Sequence, residues 1–170
     1  QPSDDKGTKG LAGSIAYSSG RNEIYLAQQG GDLLIYDMKN LAKKPAILTV
    51  AEKSFLGAAV IDGADENLYI ADNTKHAIQV VNLNDRSVVK TINLTISGSN
   101  SFNLTDGILA GGDGKIYFTT DIGYIVGISE GSGAASYVKI GNSLKLSALD
   151  IFPNQNHIYV VDSTTPQLVK

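Results

Sequence analysis

Short apolar runs alternate with polar turns along the chain from residue 13 onward. An Ile-Tyr or Leu-Tyr pair recurs at intervals of 44, 48 and 42 residues, in EIYLAQ, NLYIAD, KIYFTT and HIYVVD, with tyrosines Tyr25, Tyr69, Tyr117 and Tyr159. A polar turn precedes each pair, and an apolar run rich in small residues precedes each turn. β-Branched and aromatic residues favour strands, whereas Gly, Asn and Asp favour tight turns. The pattern therefore predicts a strand-turn-strand repeat.

Each repeat contains four such runs, and none of them has the 3.6-residue period of a helix. The segment DMKNLAKKPAI (37–47) comes closest, but Pro45 and its short length favour a long hairpin loop. Four strands in a unit of 42 to 48 residues are typical of a β-propeller blade. We therefore expect an all-β fold made of four-stranded antiparallel blades.

One unit also carries a family resemblance. LYIADNTKHAIQVVNLNDRSVVKTI (68–92) resembles the YVTN-type propeller repeat, in which a Tyr-containing strand ends in a small polar pair and an NxxVVxTI strand closes the blade. It is more loosely similar to NHL and SMP-30-like propellers. Such repeats serve many functions, so the resemblance implies a fold rather than a chemistry.

The repeats predict three full blades and a partial fourth after a flexible leader at 1–12. The expected blades, within 13–170, cover about 13–50, 56–95, 106–140 and 147–170. An open propeller would leave a blade face exposed. We therefore expect these blades to be an incomplete part of a ring of six to eight, which further residues or a second chain would complete; a self-contained four-bladed ring is the alternative.

Composition excludes several functional classes. The chain has 14 basic and 17 acidic residues and a net charge of −3, with no basic stripe for a nucleic acid backbone. It contains no cysteine, so disulfides, thiolate metal sites and cysteine catalysis are excluded. No apolar run reaches 18 residues, so we expect no membrane span.

Several polar motifs have structural explanations. Asp72, Asp121 and Asp162 recur after the second strand of a unit, with Gln28 in the first, and we interpret them as caps of the following turn rather than a ring of cation ligands. GISEG (127–131) matches the G-x-S-x-G nucleophile motif, but it falls at a strand-to-strand turn and no helix follows. We expect no catalytic serine there.

The loops that lead into the innermost strands are the best places for a ligand, because propellers bind ligands at the mouth of their channel. Loops longer than the repeat requires are common sites of function. Polar residues in or beside these loops are our candidates for a cation or polar ligand: Glu52, Asn103, Asp106, Asn142 and Asp150. The SMP-30 resemblance implies a divalent cation such as calcium at this mouth, but no metal ligand or cofactor is assigned.

Asn93 and Asn103 each begin an N-L-T sequon, which is glycosylated only in a eukaryotic secretory setting. Asn93 ends a predicted strand and is expected to be the less accessible.

The leading functional hypothesis is a noncatalytic, extracytoplasmic propeller that presents loops to a protein or glycan partner. The alternatives are a metal-dependent lactonase or hydrolase of SMP-30 type and a propeller subunit of a quinoprotein-like dehydrogenase. A ligand-induced thermal shift with calcium, together with lactone turnover, would favour the enzyme.

Overall fold

Alternating strands and turns make up the computed structural model, which describes residues 12–96, 98–99, 101–140, 145–152, 157–164 and 167–169. These residues form fifteen strands, and no helix occurs among them. The strands are β1 Ala12–Ser18, β2 Glu23–Gln28, β3 Asp32–Asp37, β4 Ala46–Thr49, β5 Leu56–Ile61, β6 Asn67–Asp72, β7 Ala77–Asn82, β8 Ser87–Asn93, β9 Leu104–Gly111, β10 Lys115–Thr120, β11 Tyr124–Ser129, β12 Ala135–Lys139, β13 Leu146–Phe152, β14 His157–Asp162 and β15 Gln167–Val169. The predicted leader lies outside the described residues, apart from Ala12.

The strands form four antiparallel sheets in chain order, which we call blades 1 to 4. Blades 1 to 3 are the meanders β1-β2-β3-β4, β5-β6-β7-β8 and β9-β10-β11-β12, and blade 4 has three described strands, β13-β14-β15. The first strands of successive blades contact one another, β1 with β5, β5 with β9 and β9 with β13. The blades are therefore arranged side by side around their innermost strands.

Strand alternation gives each blade two apolar faces, and this explains why the apolar runs alternate poorly in sequence. One face carries the repeated tyrosine, and we call it the tyrosine face. The other carries the aliphatic residues on either side of that tyrosine in the second strand, and we call it the aliphatic face. The tyrosine face of blade 1, with Tyr25, packs on the aliphatic face of blade 2, with Leu68 and Ile70. Tyr69 packs in the same way against Ile116 of blade 3.

Each innermost strand contains an irregularity near its start. In blade 2 the pairing of β5 with β6 skips from Leu56 to Ala59, and in blade 4 the pairing of β13 with β14 skips from Leu146 to Leu149. In blade 3, Leu104 pairs with Thr120 and Ile108 pairs with Phe118. The bulge in β9 is therefore one residue longer than the bulges in β5 and β13. The long bulge contains Asp106 and accounts for part of the longest repeat interval.

Two glycines allow backbones to approach closely where blades 1 and 2 meet. A Cβ on Gly13 would lie 2.0 Å from the carbonyl oxygen of Leu56 in the next innermost strand. A Cβ on Gly31 would lie 1.6 Å from the carbonyl oxygen of Ala51, and Gly31 also has a positive φ of 99°. No residue with a side chain fits either position without a backbone shift.

The capping interpretation is confirmed for two of the predicted carboxylates and corrected for the third. Asp72 and Asp162 are fully buried and accept hydrogen bonds from Lys75 N and Thr164 N, respectively, in the turns that follow them. The register places Thr120, rather than Asp121, at the equivalent position of blade 3. There the Thr120 hydroxyl accepts a hydrogen bond from Tyr124 N, the first residue after the following turn. Asp121 lies one position later and has another role.

Candidate functional site

The two ends of the blades carry different loops. One end, which we call the upper face, carries the turns between second and third strands and the connections from one blade to the next. The other end, the lower face, carries the remaining hairpin connections. GISEG spans the end of β11 and the start of such a connection to β12, where Ser129 and Ala134 close a strand-to-strand turn. The segment has no helix after it, as the sequence predicted, and no nucleophile elbow forms.

Upper-face connections are bound to the blades by a repeated set of hydrogen bonds. In blade 2, Phe55 N donates to the Thr74 hydroxyl and Phe55 O accepts from Asn73 N. In blade 4, Lys145 makes the equivalent bonds to Thr164 and Ser163. These bonds fix the backbone of each residue that leads into an innermost strand.

Blade 3 uses a carboxylate for the same purpose. Asn103 N and Asn103 Nδ2 both donate to the Asp121 carboxylate, over 2.8 Å each. Asn73 connects blade 2 to this segment, since its side-chain amide accepts from Leu104 N and donates to Leu104 O. The side chains of Asn103 and Asp121 are therefore engaged in holding the connection between blades.

The structure places the five predicted site residues as follows. Glu52 is exposed in the connection between β4 and β5, and Asp106 is exposed in the long bulge of β9. Asn103 is exposed but bound to Asp121. Asp150 lies in β13, opposite Tyr159, and its side chain is outside the described part, as is the whole of Asn142. Among the described residues, no group of three or more His, Asp or Glu side chains is arranged to hold a metal ion.

Asp106 has an unusual setting among these candidates. The bulge that exposes it is held from both sides: Thr119 donates to Gly107 O, and Thr105 donates to Leu146 O of the next innermost strand. β-Bulges redirect side chains and are frequent beside functional sites. Asp106 is thus a carboxylate on a firmly held backbone, and it stays a candidate for a polar ligand.

Both sequon asparagines are exposed, Asn93 at the end of β8 and Asn103 in the connection before β9. Which of the two asparagines is the less accessible stays a prediction. The Asn103 amide nitrogen, in contrast, is occupied by Asp121.

Phe55 is the upper-face residue that sequence reasoning missed. Its side chain is 41% exposed, although its backbone is bound to blade 2 and bridges to Gln29 of blade 1. Exposed Glu52, Lys53 and Lys75 lie in the same connection and in the adjacent turn. An isolated aromatic residue in the polar segment AEKSF was the only signal in the sequence.

A buried polar chain stabilises the upper end of blade 2. Gln79 Nε2 donates to Asp72 Oδ2 over 2.9 Å, and the Thr91 hydroxyl donates to Gln79 Oε1 over 2.7 Å. Asp72 and Gln79 are almost completely buried. Satisfied polar groups of this kind fix the arrangement of three adjacent strands.

The lower face joins blades 1 and 2 through arginines. Arg21 donates to the Asp65 and Leu83 carbonyls and to the Asn84 side chain of blade 2. Arg86 of blade 2 forms a 2.7 Å ion pair with Glu23 of blade 1. Beside this pair lies a cleft of about 220 Å³ with mixed charge, lined by Glu23, Ile35, Asp37, Lys43, Lys44, Pro45, Ala46 and Arg86.

Each repeated tyrosine in blades 1 to 3 donates its hydroxyl to an acceptor near the lower face. The acceptors are the Glu23 carboxylate for Tyr25, the Glu130 carbonyl for Tyr69 and the Asp113 carboxylate for Tyr117. Burial raises the pKa of Tyr69 and of Tyr117 to about 12, and nearby carboxylates add to the increase. Burial, with the Glu23 hydrogen bond, also raises the pKa of Tyr25. The neutral phenol is favoured in each case.

These pKa values predict a loss of stability in strong base. An unfolded tyrosine has a pKa of about 10, below the folded values, so the folded state holds these protons more tightly. The stabilisation is complete below pH 10 and is lost as the pH rises through about 12. We expect absorbance at 295 nm to show that Tyr69→Phe removes one phenol that ionises near 12. Removal of a phenol that ionises near 10 instead would contradict the packing of Tyr69.

The fold is similar to that of several solved structures, although the sequence identity to them is low. No family model and no curated protein matches the sequence. The WD40 repeats of RRP9 superpose with a TM-score of 0.71 at 11% identity, over 96% of this chain and 51% of theirs. The dihydro-heme d1 dehydrogenase NirN superposes with a TM-score of 0.69 at 13% identity, over 94% and 36%. The computationally designed Ika4 protein has a TM-score of 0.69 at 12% identity, over 99% and 96%.

These similarities and the four sheets define the class: the protein has a β-propeller fold, as the repeat period predicted. The chain spans about half of the RRP9 WD40 chain and about a third of NirN. In the described part of the chain, no helix is long and apolar enough for a membrane crossing.

Proposed function

We propose that this protein is a noncatalytic, extracytoplasmic β-propeller scaffold whose upper face binds a protein partner. The YVTN-like segment and the absence of cysteine support this proposal. The remaining blades of the ring would come from the same protein or from a second chain. A ring of six to eight blades agrees with a chain that superposes on half of a WD40 protein.

The single observation that carries the proposal is the exposure of Phe55 on a fixed backbone. Two hydrogen bonds, from Phe55 N to Thr74 and from Asn73 N to Phe55 O, hold the backbone of this loop in place. The loop therefore cannot rotate to bury the phenyl group of Phe55. Aromatic residues are enriched at the centres of protein interfaces, where little ordering entropy is lost when the backbone is already fixed. The charged residues around Phe55 then provide a polar rim.

Binding through Phe55 can be tested with peptides selected from a phage-displayed library against the folded chain. We expect Phe55→Ala to weaken a selected peptide by about 30-fold, the effect of losing a hot-spot side chain. The matched control is Leu41→Ala, since Leu41 is 59% exposed but lies in the β3–β4 connection on the lower face.

Peptides that bind both variants as tightly as the unchanged chain would contradict a site at Phe55. If the chain instead binds immobilised glycans selectively, and this binding is lost in Phe55→Ala but kept in Leu41→Ala, the partner is a glycan rather than a protein.

A further inference from the structure

The cleft on the lower face lies at the junction between blades 1 and 2. The registers pair Tyr25 with Ile35 and Ile35 with Ala46, so these three side chains are neighbours on the tyrosine face of blade 1. Arg86, in the turn between β7 and β8, lines the cleft from blade 2. Cavities between packed units of a fold are common places for ligands.

The junction between blades 2 and 3 fills the equivalent space with a side chain. Lys90 pairs with Val80 as Ala46 pairs with Ile35, so Lys90 and Ala46 occupy equivalent positions. The Lys90 amino group donates to the Ser132 carbonyl of blade 3. Ala46 has only a methyl group, and the corresponding space beside blade 1 stays open.

The facing turns differ in the opposite sense. Arg86 and Gly133 stand at equivalent places in the turns that follow β7 and β11, and both have a positive φ, of 55° and 70°. A Cβ on Gly133 would lie 2.5 Å from the Lys90 Nζ, so a side chain there would compete with Lys90 for space. Blade 2 instead carries a long residue in this unfavourable conformation, and that residue lines the cleft. The cleft is thus not a general consequence of the repeat.

Two carboxylates stand directly opposite each other in the lining of the cleft. The register pairs Glu23 with Asp37 across β2 and β3, and like charges in such a pair repel each other. Arg86 neutralises Glu23 through their ion pair. The equivalent positions of blade 2 hold the uncharged pair Asn67 and Asn82. A cation bound beside Asp37 would therefore relieve a repulsion that is specific to blade 1.

The same cleft also offers donors for an anion. The ion pair with Glu23 uses Nη2 of Arg86, whose side chain is 45% exposed. A guanidinium carries several N–H donors in one plane, and this geometry suits a carboxylate. Lys43, exposed in the connection between β3 and β4, adds a second positive charge to the lining. Ile35 and Pro45 supply apolar surface.

We propose that the cleft binds a free amino acid with a short aliphatic side chain. Arg86 and Lys43 bind its carboxylate, Asp37 binds its ammonium group, and the apolar lining contacts its side chain. A free amino acid carries both charges on one carbon atom, whereas a peptide separates them. The volume of about 220 Å³ is smaller than the about 300 Å³ at which pockets for drug-sized ligands begin, so it suits a ligand of this size.

L-Leucine is the probe for this site, added to isotope-labelled chain and followed by amide chemical shifts in NMR spectra. We expect saturable shifts in the connection between β3 and β4 and around Arg86, with an affinity in the millimolar range because the cleft is open to solvent. Isocaproate lacks the amino group of leucine, and isoamylamine lacks its carboxylate. Each should bind about tenfold more weakly than leucine, since each loses a hydrogen-bonded charge.

Ala46→Gln should abolish the shifts caused by leucine. The new side chain fills the cleft much as Lys90 fills the next junction, without a further positive charge beside Arg86. The matched control is Val89→Gln, since Val89 is 54% exposed in the outermost strand of blade 2 and does not line the cleft. This control should bind leucine as the unchanged chain does.

Asp37→Asn separates a role in binding from a role in folding. Asparagine keeps an oxygen for the turn hydrogen bond from Lys39 N and matches the residue type of blade 2. We expect this variant to bind leucine about tenfold more weakly and to bind isocaproate as the unchanged chain does, because only the ammonium group contacts Asp37.

The absence of saturable shifts with leucine would overturn the proposal, as would leucine binding that survives Ala46→Gln. Isocaproate that binds as tightly as leucine would overturn it as well, because Asp37 would then have no ammonium group to bind. Phe55 lies on the upper face, so Phe55→Ala should leave leucine binding unchanged. The peptide experiment and the leucine experiment can therefore fail independently.

Discussion

Gly31→Ala is expected to destabilise the fold strongly, because it adds a methyl group where another segment of backbone already lies. The new Cβ would lie 1.6 Å from the Ala51 carbonyl oxygen, and this neighbour is backbone rather than a movable side chain. The Gly31 carbonyl also accepts hydrogen bonds from Val50 N and Ala51 N, so a shift of the turn breaks both. We expect a loss of more than about 3 kcal/mol in the free energy of unfolding, from overpacking together with backbone strain.

Gly30→Ala provides the matched control. Gly30 also has a positive φ, of 119°, but a Cβ there would meet nothing within 4 Å. This variant should lose only the conformational part, about 1–2 kcal/mol. Urea unfolding followed by circular dichroism measures both values. Equal losses in the two variants would mean that the connection between blades 1 and 2 does not lie against Gly31.

Phe118→Ala has the second largest expected effect, about 3–5 kcal/mol, because it leaves a cavity that the surrounding strands cannot fill. Phe118 is fully buried on the aliphatic face of blade 3, in the same cluster as Tyr69 and Ile78 of blade 2. Its side chain therefore holds two blades together, and its removal should weaken both.

Amide hydrogen exchange distinguishes this effect from a local one. We expect Phe118→Ala to lower protection in β6 of blade 2 as well as in β10 of blade 3. Val89→Ala, in the exposed part of β8, should change the free energy of unfolding by less than about 0.5 kcal/mol. If protection were lost only in β10, blades 2 and 3 would not be packed through Phe118.

Local chemistry explains why the general architecture could be predicted. Each strand and each turn rich in Gly, Asn and Asp follows from the residues within it. The recurring tyrosine then shows the period of 42 to 48 residues directly in the sequence. The same local reasoning excluded a nucleophile at GISEG and assigned turn caps to Asp72 and Asp162, which their hydrogen bonds confirm.

The candidate site was less predictable, because its residues depend on contacts between blades. Polar loop residues were selected by type and place, but Asn103 is engaged by Asp121, and Asn73 reaches Leu104 across 31 residues. Sequence spacing also assigned Asp121 to a position that belongs to Thr120, because the pattern alone gives no strand register.

The sequence by itself determined a chain of strands and turns in four similar units, since each strand and turn follows from its own residues. Only the tertiary structure decided which side of each strand meets a neighbouring blade and which loop residue is left exposed at Phe55. Those features arise where segments that are distant along the chain come together, as Phe55 does with Thr74 and Tyr25 with Leu68, and no local preference specifies that contact.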